Sequence, residues 1–74
     1  PKIPIRDSDI FIYPKFGDRL DNLAYKYYND VSLWWIIAKA NNLDEAHIGL
    51  EVDNQIRIPM DIEPILNKLQ DLSF

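Results

Sequence analysis

Gly17-Asp18-Arg19-Leu20-Asp21-Asn22-Leu23-Ala24-Tyr25-Lys26-Tyr27-Tyr28, followed directly by Asn29-Asp30-Val31-Ser32-Leu33-Trp34-Trp35-Ile36-Ile37-Ala38-Lys39-Ala40, decides the fold of this chain. In the first stretch Leu20, Leu23, Ala24 and Tyr27 fall at i, i+3, i+4 and i+7, the spacing that lines one face of an α-helix. Phe16-Gly17-Asp18 supplies a turn and places Asp18 as an N-cap, so a helix is predicted over about Arg19 to Tyr28. Asn29-Asp30 then interrupts the pattern, and Asp30 or Ser32 can cap a second helix. In that helix Leu33, Ile36, Ile37 and Ala40 repeat the same spacing up to Asn41-Asn42.

Outward from this helix pair lie two short extended runs. Ile10-Phe11-Ile12-Tyr13, β-branched and aromatic and closed by Pro14, reads as a first strand. Gln55-Ile56-Arg57-Ile58-Pro59 alternates polar and apolar residues and reads as a second, after a long loop over 43–54. Residues 1–9 hold Ile3-Pro4-Ile5, which suits neither a helix nor a central strand, and form an extended arm. At the other end Asp61 offers a cap and Pro64 a first-turn residue, with Ile62, Ile65, Leu66, Leu69 and Leu72 on one face, predicting an amphipathic helix over 61–74. The expected class is α+β: a strand-helix-helix-strand domain over 10–60 with an arm before it and a short helix after it.

Composition narrows the function. The chain has 74 residues, 47% hydrophobic and 12% aromatic, so it is apolar enough to fold yet near the size at which one core is marginal. With no cysteine, contacts to a partner are the expected supplement to that core. Twelve acidic against eight basic residues give a net charge of −4, and the cations are scattered, so no nucleic-acid partner is expected. The longest apolar run, Leu33 to Ala38, is far short of the roughly 20 residues of a membrane span. No signal-peptide pattern is seen at the start of the chain.

The Gly17-Asp18-x-Leu20 turn, Leu23-Ala24, Tyr27-Tyr28, Ala40-Asn41 and the closing Gln55-Ile56-x-Ile58-Pro59 together resemble the LysM domain, over about Ile10 to Pro59. The resemblance implies a LysM-like βααβ fold, a two-stranded antiparallel sheet with two helices on one face. It also implies binding of N-acetylglucosamine glycans such as peptidoglycan in a groove around Gly17, Asp18, Arg19, Leu20, Asn42, Ile48 and Gly49. Three positions depart from the family pattern. Asn29 and Asn54 replace glycines, and asparagine is the next best residue at positive φ. Arg19 replaces a small hydroxyl residue and would set a long cation beside the N-acetyl site.

The run Tyr27 to Ala38 is similar to a variant found in tail and baseplate proteins of phages and related contractile injection machines, whose LysM-like modules act as structural connectors. That similarity implies a virion or injection-particle location and other protein subunits as partners. Helix geometry singles out the tryptophans independently. Trp35 falls roughly 150° from the centre of the Leu33, Ile36, Ile37, Ala40 arc and Trp34 roughly 110° from it. Trp35 is thus read as an outward anchor, with a wide apolar helix face or a lid from the arm or tail, and a sugar-stacking platform, as the alternatives. Ile3, Ile5, Arg19, Trp34, Trp35, Leu69 and Leu72 are the candidate protein-interface residues, with a glycan-binding module as the alternative function.

Catalysis has little in its favour. His47 stands alone in a loop without a second ligand, so neither a metal nor a cofactor is expected. Asp44 with Glu45, and Asp61 with Glu63, are explained by solvation and helix capping rather than as acids facing across a cleft. Ser8, Ser32 and Ser73 lack a nucleophile context, and Gly17 and Gly49 are too isolated to cradle a phosphate. Tyr27 is expected in the core, with Tyr25 and Tyr28 partly buried beside it.

Overall fold

Strands β1 (Ile10–Ile12) and β2 (Ile56–Ile58) pair antiparallel, and helices α1 (Leu20–Tyr28) and α2 (Trp34–Ala40) pack against the sheet. A 3-10 turn over Val31–Leu33 leads into α2, and a further helix, α3 (Glu63–Leu72), follows β2. The computed structural model describes residues 3–43 and 54–72, with side chains up to Asn67. The order is therefore the expected βααβ with a short C-terminal helix, a small α+β architecture.

The sheet register explains which face is apolar. Ile10 lies opposite Ile58 and Ile12 opposite Ile56, so four isoleucines share the inner face, while Phe11 and Arg57 oppose each other on the outer one. Against the inner face α1 sets Leu20, Leu23 and Ala24, and α2 sets Ile37 and Ala38. Burying each large aliphatic side chain contributes roughly 1.5–3 kcal/mol, and these few residues supply most of what a chain this short can gain. Tyr27, Tyr28, Trp34 and Leu43 pack around this cluster.

Local chemistry sets the helix ends, with two departures from expectation. Asp18 does not cap α1. Its Oδ2 accepts from the Lys15 N–H at 2.7 Å and closes the turn, leaving Arg19 at the N-cap without a side-chain bond. Asn29 takes the left-handed conformation (φ 59°) at the C-cap, and its N–H donates to the Tyr25 carbonyl. The second departure is one of phase. Val31–Leu33 winds as a 3-10 turn, so Leu33 is out of step with α2, whose core face is carried by Trp34, Ile37 and Ala38 at i, i+3 and i+4 together with Ile36. Leu33 and Ala40 are only half-buried.

Asp30 starts the turn: its Oδ1 accepts from Ser32 Oγ at 2.6 Å and from the Ser32 N–H at 2.9 Å. The Ser32 hydroxyl first, and its N–H second, hold the Asp30 carboxyl below the usual aspartate range. The folded chain thus binds this proton less readily than the unfolded one, so the capping contribution is complete above the unfolded pKa and is lost as pH falls through the folded one. Acid titration followed by circular dichroism is expected to show a stability limb below about pH 4 that Asp30→Asn flattens, because Asn keeps the acceptor and does not titrate. An unchanged limb would assign the acid sensitivity to other carboxylates.

Candidate interaction surfaces

Three regions bear on what this module holds. The first is the turn around Gly17, where a glycan groove was expected. Gly17 has φ 90°, with open space where a Cβ would stand. Phe16, beside it, is 98% exposed. Arg19 Nε lies 3.3 Å from Asp21 Oδ1, an exposed ion pair worth little energy that nonetheless keeps the cation at the turn. Asn42 is exposed with φ 58°. Leu20 is fully buried and belongs to the core rather than to a groove lining. Ile48 and Gly49, with Asp44, Glu45 and His47, lie outside the described residues.

The second region is the pair of tryptophans. Trp34 is half-buried and packs on the core cluster, a correction to its expected place on the flank of α2, because it stands at i, i+3 and i+4 with Ile37 and Ala38 in that helix. Trp35 is half-buried and stands outside that cluster. Around the module Ile5, Phe11, Tyr13 and Tyr25 are more than half exposed, Tyr25 against the expectation of edge packing. Leu69 and Leu72 fall on α3, where their side chains lie outside the described residues.

The third region was missed in the sequence, where Arg57 reads as the polar member of an alternating strand. Its guanidinium is 11% exposed and pairs with Asp9, 1% exposed, at 2.7 Å. It also donates to the backbone carbonyls of Ile3 (2.7 Å), Pro4 (3.2 Å) and Ala40 (3.2 Å). One side chain thereby ties the arm, β2 and the end of α2 together. Ile3 is consequently buried in its own chain and Ile5 alone of the arm pair faces outward, which corrects the reading of both as outward contacts. An acid just before β1 and a cation inside β2, 48 residues apart, are the signal that was present; no spacing rule links them.

Two neighbours complete this junction. Asn41 Oδ1 accepts from the Arg57 N–H, and its Nδ2 donates to the carbonyls of Arg57 and Ile37, all at 2.8 Å. Tyr28 donates its hydroxyl to the Pro59 carbonyl at 2.6 Å. Burial chiefly, and the Asp9 carboxylate next, hold the Tyr28 phenol well above its usual pKa, with Arg57 opposing, so it stays a donor at any ordinary pH. Asp61, expected as a helix cap, instead meets Arg6 in an exposed pair at 3.4 Å.

An open cleft of about 320 Å³ lies between α1 and the end of β1 with the turn after it, lined by Ile12, Tyr13, Lys15, Asp18, Asn22, Leu23, Lys26 and Tyr27. Among the described residues no group of three His, Cys, Asp or Glu side chains is placed to hold a metal ion, and no helix is long and apolar enough to cross a membrane. Comparison of the chain with models of known families, with curated proteins and with solved structures gives no match in any of the three.

Proposed function

We propose that this chain is a non-enzymatic structural connector of a phage tail baseplate or a related contractile injection machine, holding neighbouring subunits through a LysM-like module. The observation that carries the reading is the number of large apolar side chains left in solvent on so small a body, with Phe16 at the tip of its turn and Ile5, Phe11, Tyr13 and Tyr25 around it. A free-standing domain gains nothing from an exposed phenylalanine at a turn, whereas interface cores are enriched in aromatics. The sequence similarity over Tyr27 to Ala38 supplies the kind of machine, and the half-buried Trp35 beyond the core supplies an anchor.

Particles lacking the chain, complemented with variants, test this. Trp35→Ala and Phe16→Ser are each expected to reduce recovery of the chain in purified particles at least severalfold. Phe16→Ser should leave the thermal midpoint unchanged, because its side chain touches almost nothing in the isolated fold. Normal incorporation of both variants would sink the connector reading. The open Gly17 turn favours a second function, a carbohydrate-binding module for peptidoglycan-type glycan. Movement of the Gly17, Asp18 and Asn42 amide signals on titration with chitooligosaccharide would establish it in place of the first.

A further inference from the structure

We propose that the cleft between β1 and α1 is a docking site for an acidic segment of a protein partner. The inference deepens the connector reading and rests on it. Each of the three described arginines is held by a carboxylate of its own chain: Arg6 by Asp61, Arg19 by Asp21 and Arg57 by Asp9. None of the three lysines whose side chains are described, Lys15, Lys26 and Lys39, has a carboxylate partner among the described residues, and two of them, Lys15 and Lys26, line this one cleft.

On a chain of net charge −4 this is a local reversal of sign. The cleft has one carboxylate of its own, Asp18, whose Oδ2 accepts from the Lys15 backbone N–H, so the lining sets two ammonium groups against one carboxylate, a formal excess of one positive charge. Such a spot attracts an anion against the background field and fixes the orientation in which it arrives.

The remaining lining says what carries the anion. Ile12, Leu23 and Tyr27 form an apolar floor, with Lys26 Nζ 5.4 Å from the Tyr27 ring centroid, and Tyr13 stands at the wall. Phe16 protrudes from the turn between Lys15 and Asp18. A segment with an aliphatic or aromatic residue flanked by carboxylates matches this order: the apolar residue on the floor, the carboxylates on the two lysines. A sugar would want several amide and carboxylate partners for its hydroxyls. Here Asn22 is the sole amide, while lysine offers a compact cationic donor suited to a carboxylate.

The experiment uses the full chain, 15N-labelled, and a synthetic peptide of six glutamates around a central leucine, with a glutamine-for-glutamate counterpart as control. The expected result is salt-sensitive binding that moves the amide signals of Tyr13, Lys15, Asn22 and Lys26. Lys15→Gln with Lys26→Gln should weaken it by roughly two- to thirtyfold, the loss of two exposed charge pairs, while Lys39→Gln leaves it unchanged. Equal binding of the glutamine peptide, shifts confined to other faces, or stronger binding of an oligogalacturonate would overturn the proposal. So would concentration-dependent dimerisation that moves the same signals, because the occupant would then be a second copy. Peptide binding is measured without particles, so failure here leaves the incorporation test of the connector standing, and failure there leaves this result standing.

Discussion

Arg57→Met is expected to lower the free energy of unfolding by about 3–5 kcal/mol, the cost of removing one partner from a buried ion pair. A domain of this length has roughly 4–11 kcal/mol in total at the usual 0.05–0.15 kcal/mol per residue, so the variant should sit near its unfolding threshold at room temperature. The cause is what it leaves behind. Asp9 is 1% exposed, and only its Oδ2 is bonded, to Arg57 and to the Arg6 N–H. Its Oδ1 is buried with no hydrogen-bond partner. Without the guanidinium this carboxylate has no counter-charge at its side, and the carbonyls of Ile3, Pro4 and Ala40 lose their donor. The arm should detach, and cleavage by a protease within residues 3–9 should quicken.

A second substitution separates this account from simple loss of packing. In Arg57→Met with Asp9→Leu the orphaned carboxylate is gone as well, and apolar side chains replace a pair whose desolvation was already imperfectly compensated. The double variant should therefore recover most of the stability lost by Arg57→Met alone, read as the urea midpoint by circular dichroism. If the two losses simply add, the pair is not energetically coupled and the clamp explanation is wrong.

What the sequence disclosed and what it hid follow from the range of the interactions involved. Leu20, Leu23 and Ala24 announce α1 because a helix writes its burial at fixed local spacing, and Ile56 and Ile58 announce β2 for the same reason at period two. The error in phase at α2 is also local. Trp34, Ile37 and Ala38 stand at i, i+3 and i+4 within α2 and share the core face by ordinary helical spacing, while Leu33 belongs to the 3-10 turn, which advances each residue by more than an α-helix does, and so drops out of that face. Asp18 was misassigned because one carboxylate has two donors within reach, and the turn's Lys15 N–H won over the helix's first amides. Arg57 belongs to another category. Its partners at 3, 4, 9, 40 and 41 are spread over almost the whole chain, and nothing in a strand's alternation says whether a polar residue meets water or a carboxylate. The same limit applies to the cleft, since Lys15, in the turn after β1, and Lys26, late in α1, share it only through the way the chain folds back at that turn.

Asn41→Asp should be among the most damaging single-atom changes in this protein, and more so than Asn41→Ala. The asparagine amide serves β2 as a neighbouring strand would, accepting from the Arg57 N–H and donating to the Arg57 carbonyl, while its second amide hydrogen returns to Ile37 one turn back in α2. Alanine leaves the Arg57 N–H and carbonyl partly buried and unpaired, at about 1–3 kcal/mol for each group left unsatisfied. Aspartate fills the same volume and still accepts from the Arg57 N–H. Its other oxygen, however, faces the Ile37 and Arg57 carbonyls at the position of a nitrogen that lay 2.8 Å from both. Two acceptors are thereby set against an acceptor in a half-buried site, and water can enter only by parting α2 from β2. Chemical denaturation should rank the wild type above Asn41→Ala and that variant above Asn41→Asp at neutral pH, with the gap between the two variants narrowing in acid as the new carboxyl takes up a proton and regains a donor. A ranking in which aspartate is the milder change would mean that Asn41 acts by filling space, and that the junction of α2 with β2 is held by the Arg57 side chain alone.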